Sequence, residues 1–210
     1  MDYNILKIRI ISSFFIILIF IFFLTIANNF LWLFFLILYL LILYEIIKFF
    51  TNFKYKLFLY IYIFLSFIFL QLYLFYYFKI IEFIIIILTI TIFDTFSYFF
   101  GSFIGRKKML SSISPNKTYE GLIGGVIFTT FTMSFFNYIF TNYYTLSYIL
   151  IILSIIFLSF VGDIIESYFK RLSKIKNSSK LIPGHGGFFD RFDSFILVTY
   201  GIFFYNFVIS

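Results

Sequence analysis

The sequence predicts an all-α integral membrane protein with about seven transmembrane helices and polar loops on the cytoplasmic side. Apolar residues make up 63% of the 210 positions, whereas they form about half of a soluble domain. The mean hydropathy is +1.07. Apolar runs of about 18 residues, long enough to span a bilayer, recur along the chain. All but one of the basic residues fall at the amino terminus or in alternate connections between these runs.

The apolar runs define seven predicted spans. They cover roughly 10 to 27, 30 to 47, 57 to 78, 80 to 100, 121 to 140, 146 to 162 and 192 to 209. The first follows Lys7 and Arg9 as a leader peptide would, but Ala27 and the two asparagines after it form a poor cleavage site. We therefore expect the first run to be a membrane span.

The basic residues assign the sides of the membrane. Seven crossings place the amino terminus and the connections 48–56, 101–120 and 163–191 on one face. This face carries fifteen of the sixteen Lys and Arg residues, and only Lys79 lies opposite. The positive-inside rule makes this face cytoplasmic, and we expect a multi-pass protein of the inner membrane. A one-sided charge attracts anionic lipid and nucleotide phosphates, and we expect no nucleic-acid partner.

We expect residues 1–210 to form a single polytopic domain, with 1–79 as scaffold spans and 80–210 as the catalytic portion. The chain has no cysteine, which excludes disulfides and thiolate metal sites. Glu45 is the internal carboxylate of the first three spans, and we expect it to be a snorkelling or interfacial residue.

The fourth span contains Asp94, about seven residues or 10 Å inside the cytoplasmic boundary. An ionisable group at that depth is costly and suggests a functional residue with a cationic partner. A structural ion pair is the alternative.

The next loop and the start of the fifth span hold Ser114, Asn116, Lys117 and Thr118. The spacing is not that of a P-loop. Donors at a helix start favour an anion, and a helix cap within an ordinary basic loop is the alternative.

The sixth span continues into a polar helical face. Asp163, Glu166 and Ser167 share that face, and Lys170 and Arg171 follow one turn later. Asp190 and Asp193 have the same three-residue spacing at the start of the last span. Carboxylates are hard ligands for Mg²⁺ and the cations suit phosphate. Salt bridges alone are the alternative.

The stretch from Ser167 to Ser194 concentrates the polar chemistry. It contains six of the sixteen Lys and Arg residues and the only His. Pro183, Gly184, Gly186 and Gly187 indicate a tight, rigid turn. We interpret it as a site for a polyanion and a metal. His185 could be a ligand, a phosphate donor or a loop hydrogen-bonding group, and one His does not make a zinc site.

These residues resemble the signature of the integral-membrane phosphatidate cytidylyltransferases, also called CDP-diacylglycerol synthases. The matching positions are Ser167, Lys170, Arg171, Lys176, Pro183, His185, Gly186, Gly187, Asp190, Arg191 and Asp193. Upstream, residues 94–98, 114–118 and 162–163 match further motifs in the family's order, so the resemblance covers roughly residues 90 to 210. Asn177 stands where the family usually has Asp, and the chain is shorter at its amino end than typical members.

The resemblance implies transfer of a cytidylyl group from CTP to phosphatidate, with Mg²⁺, in phospholipid biosynthesis. The implied catalytic residues are Asp163, Lys170, Arg171, His185, Asp190, Arg191 and Asp193. The implied substrate-binding residues are Ser114, Asn116, Lys117, Thr118, Ser167, Lys176, Gly186 and Gly187. The implied metal ligands are Asp94, Asp163 and Asp190. The resemblance is also compatible with a second, monovalent cation and with a homodimer.

Two alternatives stand beside this reading. A related lipid enzyme, such as a CDP-archaeol synthase or a polyprenol kinase, would use similar groups. A cation transporter could use Asp94, Asp163 and Asp190 as its pathway, but it would need polar residues towards the far face, where the spans are mostly Phe, Ile and Leu.

Overall fold

The computed structural model describes residues 3–26, 28–50, 54–141, 145–184 and 186–209. These parts contain seven α-helices: α1 Tyr3–Thr25, α2 Leu31–Phe49, α3 Lys56–Tyr76, α4 Ile80–Phe103, α5 Tyr119–Thr141, α6 Leu146–Leu172 and α7 Phe189–Ile209. The chain divides into two compact units. Unit 1 comprises Met1–Phe78 and Phe169–Ser210, and unit 2 comprises Lys79–Tyr168.

Each predicted span is largely helical, although α1 begins before its predicted start at 10 and α6 continues past its predicted end at 162. Within the described residues, five stretches are long and apolar enough to cross a membrane: Asn28–Phe49, Lys56–Tyr76, Ile80–Phe103, Tyr119–Phe140 and Leu146–Leu172. The helical membrane class is therefore confirmed, whereas seven crossings and their sidedness stay predictions. α7 opens with Asp190, Arg191 and Asp193, which make its first turns polar.

Unit 1 is held by aromatic packing and by a buried polar network. The rings of Phe69 and Phe203 stack with centroids 4.9 Å apart, joining α3 to α7. Ser66 hydrogen-bonds the hydroxyls of Tyr39 and Thr199, and all three side chains are buried. Such hydrogen bonds hold helices together where apolar surfaces face lipid and give no hydrophobic drive.

Unit 2 brings α4 and α5 into close contact through glycines. A Cβ atom on Gly121 would lie 2.7 Å from the carbonyl oxygen of Ser97 and 3.0 Å from Cα of Gly101. Small residues permit this approach of two backbones. As a result, the polar part of α4, with Asp94, lies beside the start of α5.

A short antiparallel hairpin precedes α5 and was not predicted. Its strands are β1, Lys108–Leu110, and β2, Ser114–Thr118, with Lys108 opposite Thr118 and Leu110 opposite Ser114. Strands this short, with a proline in the second, show no alternating pattern. Thr118 then caps α5, because its Oγ1 accepts a hydrogen bond from the amide of Gly121 at 3.1 Å.

Candidate active site

Unit 2 contains a cleft of about 240 Å³ at the junction of α4, β2, α5 and α6. Six of the predicted site residues line it: Asp94, Ser114, Asn116, Lys117, Thr118 and Asp163. The rest of its wall is Phe93, Ser97, Tyr98, Gly121, Leu122 and Phe160. Residues distant in sequence therefore share one polar cavity.

Lys117 and Asp163 form an ion pair in the wall of the cavity. Lys117 Nζ lies 2.7 Å from Asp163 Oδ2 and 4.5 Å from the centre of the Phe160 ring. Ser167 Oγ donates a hydrogen bond of 3.3 Å to Asp163 Oδ1. The ring, the carboxylate and the strand thus hold the ammonium group at the cavity wall.

The carboxylates of unit 2 suit a hard divalent cation. Asp94 and Asp163 both line the cavity, and a carboxylate oxygen of Asp163 lies within 4.8 Å of one of Glu166. Mg²⁺ prefers oxygen ligands and is usually bound through one or two carboxylates plus substrate phosphates. These donors therefore fit Mg²⁺.

The cavity also has polar capacity for a ligand. Ser97 Oγ is buried and has no hydrogen-bond partner among the described residues. Buried hydroxyls normally have a partner.

Glu120 fixes the connection between α4 and β1, since its carboxylate accepts hydrogen bonds from the amides of Arg106 and Lys107 at 3.1 and 3.2 Å.

Unit 1 contains a second polar cluster around Asp190. Lys170 Nζ lies 2.8 Å from Asp190 Oδ1, and both side chains are largely buried, with 13% and 10% exposed. Asp190 Oδ2 accepts hydrogen bonds from the amides of Ser178 and Gly187 at 2.8 and 3.0 Å. Asp190, predicted as a metal ligand, is thus held by a lysine and by the α6–α7 connection.

The expectation of an interfacial Glu45 is wrong. Its side chain is fully buried, and it accepts hydrogen bonds from Ser178, Ser179, Phe188 and Phe189. The sequence signal was present, because a carboxylate in an otherwise apolar span needs buried partners. The sequence did not show that those partners lie more than 130 residues away.

The glycines of the signature lie against these carboxylates. Gly186 has a φ of +86°, and a Cβ on it would lie 2.6 Å from Asp190 Oδ2. A Cβ on Gly187 would overlap Ser178 Oγ and lie 2.5 Å from Glu45 Oε2. The described contacts of both predicted substrate-binding glycines are therefore with protein side chains.

The remaining predicted residues surround the α6–α7 connection. Arg171, Lys176 and Arg191 are exposed, and Arg171 donates to the carbonyl of Ile175 at 3.2 Å. Asp193 Oδ1 accepts from the amide of Ser194 at 2.7 Å. His185 lies outside the described residues.

The fold and the cavity define a helical membrane protein with a polar site suited to an anion and a hard cation. Residues 55–209 match the model of the cytidylyltransferase family, and the chain belongs to this family. This membership confirms the resemblance drawn from the motifs.

Bacterial relatives named phosphatidate cytidylyltransferase align with half of the chain. The protein from Staphylococcus saprophyticus is 43% identical over 107 residues, covering 50% of this chain and 41% of the relative. That from Staphylococcus haemolyticus is 46% identical over 108 residues, with the same shares. That from Bacillus subtilis is 40% identical over 108 residues, or 50% and 39%. The chain therefore spans about two fifths of the length of these relatives.

Proposed function

We propose that the protein transfers the cytidylyl group of CTP to phosphatidate, giving CDP-diacylglycerol and pyrophosphate. One observation carries the proposal: a cytidylyltransferase-family chain has a cavity that combines Lys117 with the carboxylates of Asp94 and Asp163. The names of the relatives supply the substrates. Neither the transporter nor the other lipid enzymes are favoured by these similarities.

The reaction forms one phosphorus–oxygen bond and breaks another. A phosphate oxygen of phosphatidate attacks the α-phosphorus of CTP, and the bond to the oxygen that bridges to the β-phosphorus breaks. Pyrophosphate leaves with that electron pair. A phosphate monoester is largely dianionic near neutral pH, so the nucleophile needs no dedicated base. The site must neutralise charge and align the reacting groups.

The residues of unit 2 would supply charge neutralisation and hydrogen bonds for alignment. Lys117 provides a cation for a phosphate oxygen, and Ser114, Asn116 and Thr118 provide further hydrogen-bonding groups. Asp94 and Asp163 would hold Mg²⁺, which when bound neutralises phosphate charge.

The residues of unit 1 are assigned their roles by the signature. Lys170 is already placed against Asp190, and the exposed Arg171, Lys176 and Arg191 are suited to attract a polyanion. The proposed roles of Ser167, His185, Gly186, Gly187, Asp190 and Asp193 follow the same motif.

The distribution of basic residues supports a multi-pass protein of the inner membrane with its site on the cytoplasmic face. CTP would then arrive from the cytoplasm and phosphatidate from the bilayer.

The test is an assay of purified protein with CTP, phosphatidate and Mg²⁺, comparing wild type with Asp163→Asn. Loss of an electrostatic stabiliser costs about 10² to 10³ in rate, and we expect a loss of that size. Glu82→Gln is the matched control, because Glu82 pairs with Lys79 at an exposed helix start. Absence of CDP-diacylglycerol with folded wild type, or near-normal turnover by Asp163→Asn, would refute the proposal.

A further inference from the structure

We propose that Glu45 is a positioning residue, whose buried carboxylate fixes the connection between α6 and α7 and so keeps Asp190 in place. The inference rests on the proposed function, because it takes Asp190 to belong to the site. Glu45 lies on α2, outside residues 55–209 that match the family model. The motif therefore assigns it no role.

Four donors converge on the Glu45 carboxylate. Oε1 accepts from Ser179 Oγ at 2.7 Å and from the amide of Phe188 at 2.8 Å. Oε2 accepts from Ser178 Oγ and from the amide of Phe189, both at 3.0 Å. Two of these donors are backbone amides at the start of α7, which otherwise have no partner within the helix. The carboxylate thus caps α7 from a different helix.

Gly187 makes room for this arrangement. A Cβ at this position would lie 2.5 and 2.6 Å from the two oxygens of Glu45 and would overlap Ser178 Oγ. Real Cβ atoms do not approach this closely, so a side chain here would push the carboxylate out. The glycine and the glutamate therefore form one packing unit.

Glu45 and Asp190 hold the same piece of backbone. Ser178 Oγ lies 3.0 Å from Glu45 Oε2 and 3.0 Å from Asp190 Oδ2. Asp190 Oδ2 also binds the amides of Ser178 and Gly187, which adjoin the residues that Glu45 binds. If Glu45 releases this segment, three contacts of Asp190 Oδ2 are disturbed together. They are those with the amide and the hydroxyl of Ser178 and with the amide of Gly187.

Glu45→Gln tests this with little change in size. The side-chain nitrogen of the new glutamine donates hydrogen bonds and does not accept them. The backbone amide of either Phe188 or Phe189 therefore loses its acceptor. Because misplacement by about 1 Å costs up to about 10²-fold in rate, we expect kcat to fall at least about tenfold. The KM for CTP should change by a smaller factor than kcat, because Lys117 and Asn116 in the unit 2 cavity are untouched. Glu82→Gln is again the control.

A double variant separates positioning from general damage. If Glu45 acts through Asp190, adding Glu45→Gln to Asp190→Asn should lower kcat less than about threefold further. A full, multiplicative loss in that background would overturn the proposal. Should Glu45→Gln fail to fold, Ser179→Ala removes one hydrogen bond to the carboxylate and the bond that Ser179 Oγ accepts from the amide of Leu181. It should lower kcat in the same manner, by a smaller factor.

Hydrogen exchange gives a readout that does not need activity. In purified wild type and Glu45→Gln, we expect the peptide containing residues 187–189 to exchange at least about tenfold faster in the variant. If wild type makes no CDP-diacylglycerol, the proposed function fails. Hydrogen exchange still tests whether Glu45 holds the connection between α6 and α7. Unchanged exchange in this peptide in Glu45→Gln would overturn the proposal.

Discussion

Lys117 and Asp163 form an ion pair of 2.7 Å at the wall of the unit 2 cavity, with the ammonium group over the Phe160 ring. In the proposed reaction, the lysine would face a phosphate and the carboxylate would face a divalent cation. A phosphate would compete with Asp163 for the ammonium, and a divalent cation would compete with Lys117 for the carboxylate. Under the proposed function, the pair would keep both groups neutralised and in place until a phosphate and a divalent cation replace it.

Lys117→Met should lower kcat/KM by about 10² to 10³, because it removes the cation that would stabilise phosphate charge. The measurement is CTP-dependent turnover of purified protein. Lys108→Met is the control, since Lys108 is exposed on β1 of the same hairpin. Equal activities of the two variants would show that Lys117 does not act in the site.

Much of this site was accessible from sequence because the motifs carry the chemistry in short, local patterns. Asp94 and Asp163 stand out as carboxylates inside or beside an apolar span, and the 114–118 segment stands out by its donors near a helix start. The fold places all three around one cavity. The helices followed from apolar runs, since a membrane span must be long and apolar. α6 continues to Leu172, beyond the predicted span end at 162, as its polar face suggested.

The rest depended on long-range contacts. The role of Glu45 requires α2 to meet the start of α7, and no local pattern encodes that meeting. The β1–β2 hairpin is too short for a periodic signal. The glycine positions predicted a tight turn, but only the fold shows which carboxylates approach them.

Asn177→Asp should change the half-saturating Mg²⁺ concentration less than about twofold, because Asn and Asp are both good caps. Asn177 is exposed, so solvent screens an added charge. The two proteins are compared in a Mg²⁺ titration of turnover. A several-fold shift would instead assign this position to metal binding.

Lys174→Gly should stabilise the protein by about 1 kcal/mol, because Lys174 has a φ of 57°, in the left-handed region. The residue ends α6 in a Schellman motif: the amide of Lys174 bonds Arg171 and that of Ile175 bonds Lys170, both at 3.0 Å. The melting temperature in detergent should rise by about 2–4 °C. Lys180→Gly, at a position without positive φ, should not raise it. A lower melting temperature for Lys174→Gly would contradict this account.

Single cysteines test the proposed sidedness, since the chain has no cysteine of its own. Thr145 and Lys180 are both exposed and lie in connections assigned to opposite faces. An impermeant maleimide applied to intact cells should label Thr145→Cys, and it should label Lys180→Cys only after permeabilisation. The reverse pattern would place the signature segment outside the cell.

The fate of individual CTP phosphates tests the central claim most directly. Purified protein is incubated with phosphatidate, Mg²⁺ and CTP labelled at either the α- or the γ-phosphate, and the lipid is extracted. Cytidylyl transfer predicts that the α-label enters the lipid and the γ-label stays in water as pyrophosphate, with the lipid signal lost in Asp163→Asn. A γ-label in the lipid, or no label in the lipid from either form of labelled CTP, would contradict cytidylyl transfer.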